Sequence, residues 1–221
     1  DIKNLQKTIK NYENLKQEIC IFGFTFILYH SVLKPLKEKE IKCQLPANSK
    51  IAHIGGWKKL ESEKVSKEKF LEDASEVFGI DKKNIFDFYG FTEQMGLLYV
   101  GSGEIPKITP AYSEVIIRDF QTLNSVKDGE KGLIQILTPL PNSYPGISIL
   151  TEDVGRIVGR GADETGRIGT QFEIIGRAKE NIITPKLHKK VKYKLFESLF
   201  KKFIFFFLIT VKPFLNKNSL I

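Results

Sequence analysis

The stretch FDFYGFTEQMG, residues 86–96, sets a hydroxyl (Thr92) beside a carboxylate (Glu93), just past a Tyr89-Gly90 pair that closes an apolar run. The two polar groups can serve the chain itself: Gly90 turns it, Thr92 caps a helix and Glu93 sits in the first turn. They can equally serve a ligand, and three other stretches bear on the choice. HIGGWKK (53–59) carries Gly55 and Gly56, a pair that lets a planar ligand or a phosphate approach the backbone closely. LTEDVGRI (150–157) puts Asp153 at the end of a strand, ahead of a glycine turn. FEIIGRAKEN (172–181) puts Arg177 after a glycine at the end of another. Glycine pairs and Gly-Arg dipeptides are common, and an Asp before a turn is usually a turn-former. The order and spacing of all four stretches together are far more specific than any one.

The elements that must position these residues can be read from periodicity. Residues 1–18 space Ile2, Leu5, Ile9, Tyr12 and Leu15 at three and four, an amphipathic helix. ICIFGFTFILYHSVL (19–33) is a buried strand leading into a helix; its roughly 12 apolar-dominated residues are too few to span a bilayer. SKIAHI opens a strand that ends at the glycine pair. SKEKFLEDASEVFGI (66–80) is a helix capped by Ser66 and ended by Gly79. NIFDFYG is a strand. SEVIIRDF (113–120) and GLIQILTPL (132–140) are strands joined through VKDGEKG, a hairpin signal. The expected fold is mixed α/β running into antiparallel β structure.

Composition bounds the partners. The chain has 221 residues and a net charge of +8, and that whole excess lies in residues 182–221, which hold nine Lys and one acid, Glu197. The neutral remainder argues against a nucleic-acid footprint. The same 40-residue tail holds 7 of the 17 Phe, the composition of a membrane-surface or partner-docking segment, or of sequence not selected for this fold. Two cysteines, Cys20 and Cys43, without a CxxC, fit a reducing compartment. No transmembrane span is expected, and the expected location is the cytoplasm.

HIGGWKK, FDFYGFTEQ, SEVIIRDFQTL, DGEKGLIQIL, SYPGISILTEDVGRI and GRIGTQFEIIGRA together resemble the adenylate-forming superfamily. Within it they look close to the LuxE acyl-protein synthetases, over roughly residues 18 to 180. The resemblance implies the C-terminal half of an adenylate-forming large domain in residues 1–181, with 182–221 as a separate tail. It implies ATP-dependent activation of a long-chain fatty acid as an acyl-adenylate, then transfer to a protein thiol that feeds a fatty-acid reductase. By the same resemblance Thr92 hydrogen-bonds the α-phosphate and Glu93 holds Mg²⁺, a hard ion suited to carboxylate oxygen. Tyr89 stacks on adenine, Gly55, Gly56 and Gly90 belong to the nucleotide pocket, Asp153 accepts from the ribose hydroxyls, and Arg177 reaches the ribose or phosphate.

Other residues invite structural readings. Arg118 and Asp119 read as a strand-end ion pair, Trp57 as packing, His53 as a core residue, and Tyr144-Pro145-Gly146 as a rigid turn that shapes the site. Lys58 and Lys59 read as either solvated or near phosphate. The sequence also departs from the family. No Ser/Thr/Gly-rich loop for the β- and γ-phosphates precedes residue 49, no cysteine follows residue 43, and no lid lysine is recognisable. The expectation is therefore a fragment that binds adenine nucleotide weakly and does not turn over. A related acyl- or aryl-CoA ligase and a non-catalytic remnant are the competing readings.

Overall fold

A computed structural model of the chain describes residues 2–14, 17–57, 63–94, 96–141 and 146–178. The tail from 182, Lys58, Lys59, Tyr144 and Pro145 lie outside these, and so do the expectations placed on them. The described residues form two compact units, one from residues 2–88 with 102–104, the other from residues 89–101 with 105–178. Among the described residues no helix is long and apolar enough to cross a membrane.

In the first unit, helix α1 (Ile2–Asn14) buries Ile9. Strand β1 (Cys20–Phe24) passes directly into α2 (Thr25–Leu28), a π turn (Tyr29–Leu33) and α3 (Lys34–Glu38). Pro35 lies just past the π turn; a proline inside a helix removes one hydrogen bond and crowds the preceding turn, and the wider turn absorbs that. Strands β1, β2 (Lys50–Ile54) and β3 (Ile85–Tyr89) pair in parallel, with Ile21, Ile51 and Ile85 in register on the buried face. Helix α4 (Lys67–Phe78) covers that core through Phe70, Leu71, Ala74 and Phe78. Its ends follow the sequence signals. The Ser66 hydroxyl accepts from the Lys69 N–H at 3.1 Å, and Gly79 adopts φ 65°, where a Cβ would overlap the Gln44 side chain.

The most heavily bonded of the buried polar groups here is a carboxylate. Asp73, 1 % exposed, accepts from the Tyr29 hydroxyl at 2.9 Å and from the Lys37 and Lys69 ammonium groups, each at 2.6 Å. Burial raises its pKa, but the two lysines and the tyrosine outweigh burial, so Asp73 titrates below the usual carboxylate range. The Tyr29 hydroxyl, buried and facing that carboxylate, is pushed up to about 12. The network ties the segment after β1 to α4 and so fixes the layer that carries β1 to β3.

The second unit is antiparallel. Its strands are β4 (Tyr99–Ser102), β5 (Ile105–Ile108), β6 (Glu114–Arg118), β7 (Gly132–Leu137), β8 (Ser148–Ala162) and β9 (Ile168–Arg177). They lie in the order β4-β5-β9-β8-β7-β6. Its core holds Leu97, Tyr99, Ile117, Ile134, Ile157 and Phe172. The strand pair around VKDGEKG forms as the sequence suggests, β6 against β7. Asp153 differs from expectation. It lies inside β8, which runs fifteen residues without a turn. Gly155 is a packing glycine at a bulge: a Cβ there would come within 2.5 Å of the Glu173 carbonyl and 2.7 Å of Ile134.

Asp73→Ala should lower the unfolding free energy by about 1–3 kcal/mol, since it leaves a buried hydroxyl without its acceptor. Because the Asp73 pKa is depressed on folding, its contribution is present above about pH 4 and fades as pH falls through the lowered folded value. Urea unfolding of wild type and variant should therefore converge in acid. A gap that stays constant down to about pH 2 would contradict this account.

Candidate nucleotide site

β3 leaves the first unit through Tyr89, whose ring packs in the second unit against Phe91, Tyr99 and Phe172 at centroid distances of 5.8, 6.1 and 6.3 Å. Its hydroxyl donates to Asp153 Oδ2 at 2.7 Å. Burial first, and the Asp153 charge second, push the Tyr89 hydroxyl far above its ordinary pKa, so it remains a donor at any working pH. Burial likewise raises the Asp153 carboxyl, an effect that the Tyr89 hydrogen bond and the Arg177 charge only partly offset. The result is a half-buried carboxylate with one oxygen held and directed by Tyr89.

Gly90 follows at a point where a side chain does not fit: a Cβ would meet Leu98 at 2.7 Å and the Leu97 carbonyl at 3.0 Å. The chain then makes a single 3₁₀ turn, Thr92–Gln94. No α-helix begins there, so the capping reading of Thr92 fails. Thr92 and Glu93 are exposed, and among the described residues neither side chain has a hydrogen-bond or ion-pair partner. Gln94 turns inward. It is 2 % exposed, and its Nε2 donates to the Gly146 carbonyl at 2.7 Å.

Six of the eight residues singled out from the sequence thus lie in the second unit: Tyr89, Gly90, Thr92, Glu93, Asp153 and Arg177. Asp153 and Arg177 face each other across the β8–β9 pair. The Arg177 guanidinium is exposed and engaged by Glu152, its Nε donating to Oε2 at 3.0 Å. Gly55 and Gly56 lie in the first unit, just past β2. Gly55 adopts φ +87°, and a Cβ on Gly56 would meet nothing within 4 Å. Gly55 is required by its backbone conformation, and Gly56 stands in open space.

Two structural readings hold and one is corrected. Trp57 packs edge-on against Tyr29 at 5.4 Å, and His53 is buried with Nδ1 2.9 Å from the Thr25 hydroxyl. Arg118 and Asp119 form no ion pair. Arg118 donates to Gln135 at 2.6 Å, and Asp119 accepts from the Gln121 and Thr122 N–H groups to close the turn after β6. Sequence reasoning missed Gln94 and the Tyr89–Asp153 bond. A lone Gln beside two ligand-type residues gives no signal of burial, and residues 64 apart give none of contact.

The family profile described as acyl-protein synthetase, LuxE, matches residues 1–184. The chain belongs to the LuxE acyl-protein synthetase family. Two curated relatives are both long-chain-fatty-acid–luciferin-component ligases. One, from Aliivibrio fischeri, is 27 % identical over 157 residues, covering 69 % of this chain and 40 % of the relative. The other, from Vibrio harveyi, is 24 % identical over 180 residues, covering 80 % and 46 %. The chain thus spans less than half the length of the curated relatives it matches. Among solved structures, a 2-hydroxyisobutyryl-CoA ligase in complex with its acyl-AMP and CoA superposes with TM-score 0.56 at 14 % identity, covering 78 % of this chain and 36 % of that one. That likeness is one of fold: the chain shares the mixed α/β fold of the part of that ligase it covers.

The Asp153 pKa is raised on folding, so the contribution of this group to stability is fully present below its unfolded value, near about 4, and is lost as pH rises through the folded value. Asp153→Asn keeps an acceptor for Tyr89 and removes the charge. It should stabilise the unliganded chain at pH 7 by about 0.5–2 kcal/mol, and the gain should vanish in acid. A lower melting midpoint for the variant at pH 7 would sink this reading.

Proposed function

We propose that the chain is the nucleotide-binding part of a LuxE-type ligase that activates a long-chain fatty acid with ATP and passes the acyl group to a protein thiol. The observation that carries the reading is the Tyr89–Asp153 hydrogen bond beside the unpartnered Thr92–Glu93 pair. Asp153 offers its remaining acceptor capacity to the ribose hydroxyls, and the Tyr89 ring offers its face to adenine. Thr92 donates its hydroxyl to the α-phosphate. A carboxylate oxygen of the fatty acid attacks the α-phosphorus, and the bond to the bridging oxygen of pyrophosphate breaks. The thiol sulfur of the acceptor, deprotonated, then attacks the acyl carbonyl and AMP leaves. The charge that develops in the first step resides on phosphate oxygens, so positioning and electrostatics carry the catalysis.

Magnesium fits this donor set as a substrate-borne ion. It binds through one or two carboxylates together with nucleotide phosphates, and among the described residues no group of three or more His, Cys, Asp or Glu could hold a metal by itself. Glu93 is the residue that would hold the ion, whose charge offsets that of the phosphates. Gly55, Gly56 and Gly90 belong to the nucleotide pocket, and Arg177 leaves Glu152 for the ribose or phosphate. On this reading residues 1–181 are part of one adenylate-forming domain, 182–221 are a basic Phe/Lys-rich tail suited to a membrane surface or a partner, the acyl acceptor is a reductase, and the setting is the cytoplasm.

Two measurements test the reading. AMP should bind the 221-residue chain in calorimetry, and Asp153→Asn should weaken it at least about tenfold, the loss of a charge-assisted hydrogen bond. Fatty-acid-dependent ATP–pyrophosphate exchange, assayed on the whole product of the gene, should fall at least about a hundredfold in Glu93→Ala. Equal exchange in wild type and variant would remove Glu93 from the site. Absence of both binding and exchange would favour a remnant, and acyl transfer to CoA in place of a protein thiol would favour a CoA ligase.

A further inference from the structure

Thr92, Glu93 and Gln94 share one turn but differ in environment. The first two are exposed and unpartnered among the described residues; Gln94 is buried. A three-residue 3₁₀ turn has little rigidity of its own. Among the described residues its loop bonds include two at 3.2 Å, from the Gln94 N–H to the Phe91 carbonyl and from the Leu97 N–H to the Gln94 carbonyl. The tightest polar link between this turn and the body of its unit, among the described residues, is the Gln94 side chain, whose Nε2 reaches the Gly146 carbonyl at 2.7 Å. Gly146 lies just ahead of β8, the strand that carries Asp153. The bond therefore joins the turn bearing the phosphate-side groups to the connection that leads to the ribose-side carboxylate.

A second observation sets Gln94 apart from an ordinary buried amide. Its Oε1 is also buried, and among the described residues nothing donates to it. Buried polar side-chain atoms are satisfied in the great majority of native sites, and each exception calls for an explanation, a functional role or a bound water or ion among them. A residue selected only to fill this space could be Leu or Met and would bury no open acceptor. Gln94 keeps its donor end at that cost.

We infer that Gln94 is a positioning residue of the nucleotide site: its amide pins the Thr92–Glu93 turn to the Gly146 carbonyl, and so sets where the α-phosphate is held relative to Asp153. The inference rests on the proposed nucleotide reading. It places no substrate contact on Gln94 itself. Its consequence is selective. Without the pin, the part of the ligand recognised by Tyr89 and Asp153 still binds, and the part recognised from the turn does not.

The test uses Gln94→Met, which keeps length and apolar volume but has no donor, with Gln94→Asn as a second variant whose donor falls short of Gly146. Hydrogen–deuterium exchange on the unliganded chain should quicken in peptides spanning 90–98 and 146–150 and stay unchanged across β9. AMP affinity should fall by at least about tenfold, by analogy with the loss of a residue that orients a metal ligand. Adenosine affinity should remain within about twofold. Unchanged exchange in both variants overturns the pin. Equal losses of AMP and adenosine affinity, with a lower melting midpoint, overturn the positioning role and leave Gln94 a structural residue. If the wild-type chain binds neither adenosine nor AMP, the nucleotide reading fails and the positioning role fails with it, whereas selective loss of AMP binding supports both.

Discussion

The hydrogen bond from Tyr89 to Asp153 holds together two segments that nothing else in the sequence relates. Tyr89 is the last residue of a parallel strand, and Asp153 lies in the middle of a long antiparallel one. Both groups are costly to bury alone: a phenol without an acceptor and a carboxylate without a donor each lose hydration. Each supplies what the other lacks. The aromatic cluster around Tyr89 makes the bond strong by excluding water, and the same exclusion raises the Asp153 pKa. The carboxylate is therefore oriented but not satisfied, the condition under which a polar ligand with two hydroxyl donors binds well.

Asp73 shows the opposite solution to the same problem. It is buried more deeply than Asp153, yet two ammonium groups and a hydroxyl surround it and its pKa falls below the ordinary range. That network stabilises the fold and leaves nothing open. Asp153 has one hydroxyl and a cation already engaged by Glu152. Two acids of one chain are thus shifted in opposite directions by the number of donors around them, and the contrast supports the proposed reading of Asp153 as the one left open for a ligand.

Local signals in the sequence translated well where the structure is local. Ser66 and Gly79 bracket α4 because a hydroxyl cap and a left-handed glycine act over three or four residues. Strands with apolar β-branched residues formed in the predicted places, and the order of the glycine- and acid-bearing motifs was enough to indicate the family. What failed was non-local. Asp153 before a glycine reads as a turn, but the neighbours of Gly155 across the sheet are the Glu173 carbonyl and Ile134, and that crowding, invisible in one dimension, keeps the strand going. Arg118 and Asp119 read as a pair because they are adjacent, yet Arg118 ends β6 and reaches Gln135 on the neighbouring strand, while Asp119 opens the turn and accepts from its N–H groups.

The same distinction governs the turn at Thr92. A threonine and a glutamate after a glycine could begin a helix, and a helix would have used them as cap and first-turn acid. The buried amide of Gln94 competes with that outcome: turning inward to reach Gly146, it holds the backbone in one 3₁₀ turn, and the tight approach of Gly90 to Leu97 and Leu98 closes the loop around it. With no helix to cap, Thr92 and Glu93 remain exposed with no side-chain partner among the described residues. A hydroxyl and a carboxylate left open on a constrained loop, in the same unit as an oriented and under-satisfied Asp153, are groups whose hydrogen bonding the described residues leave incomplete, and on the proposed reading a nucleotide completes it.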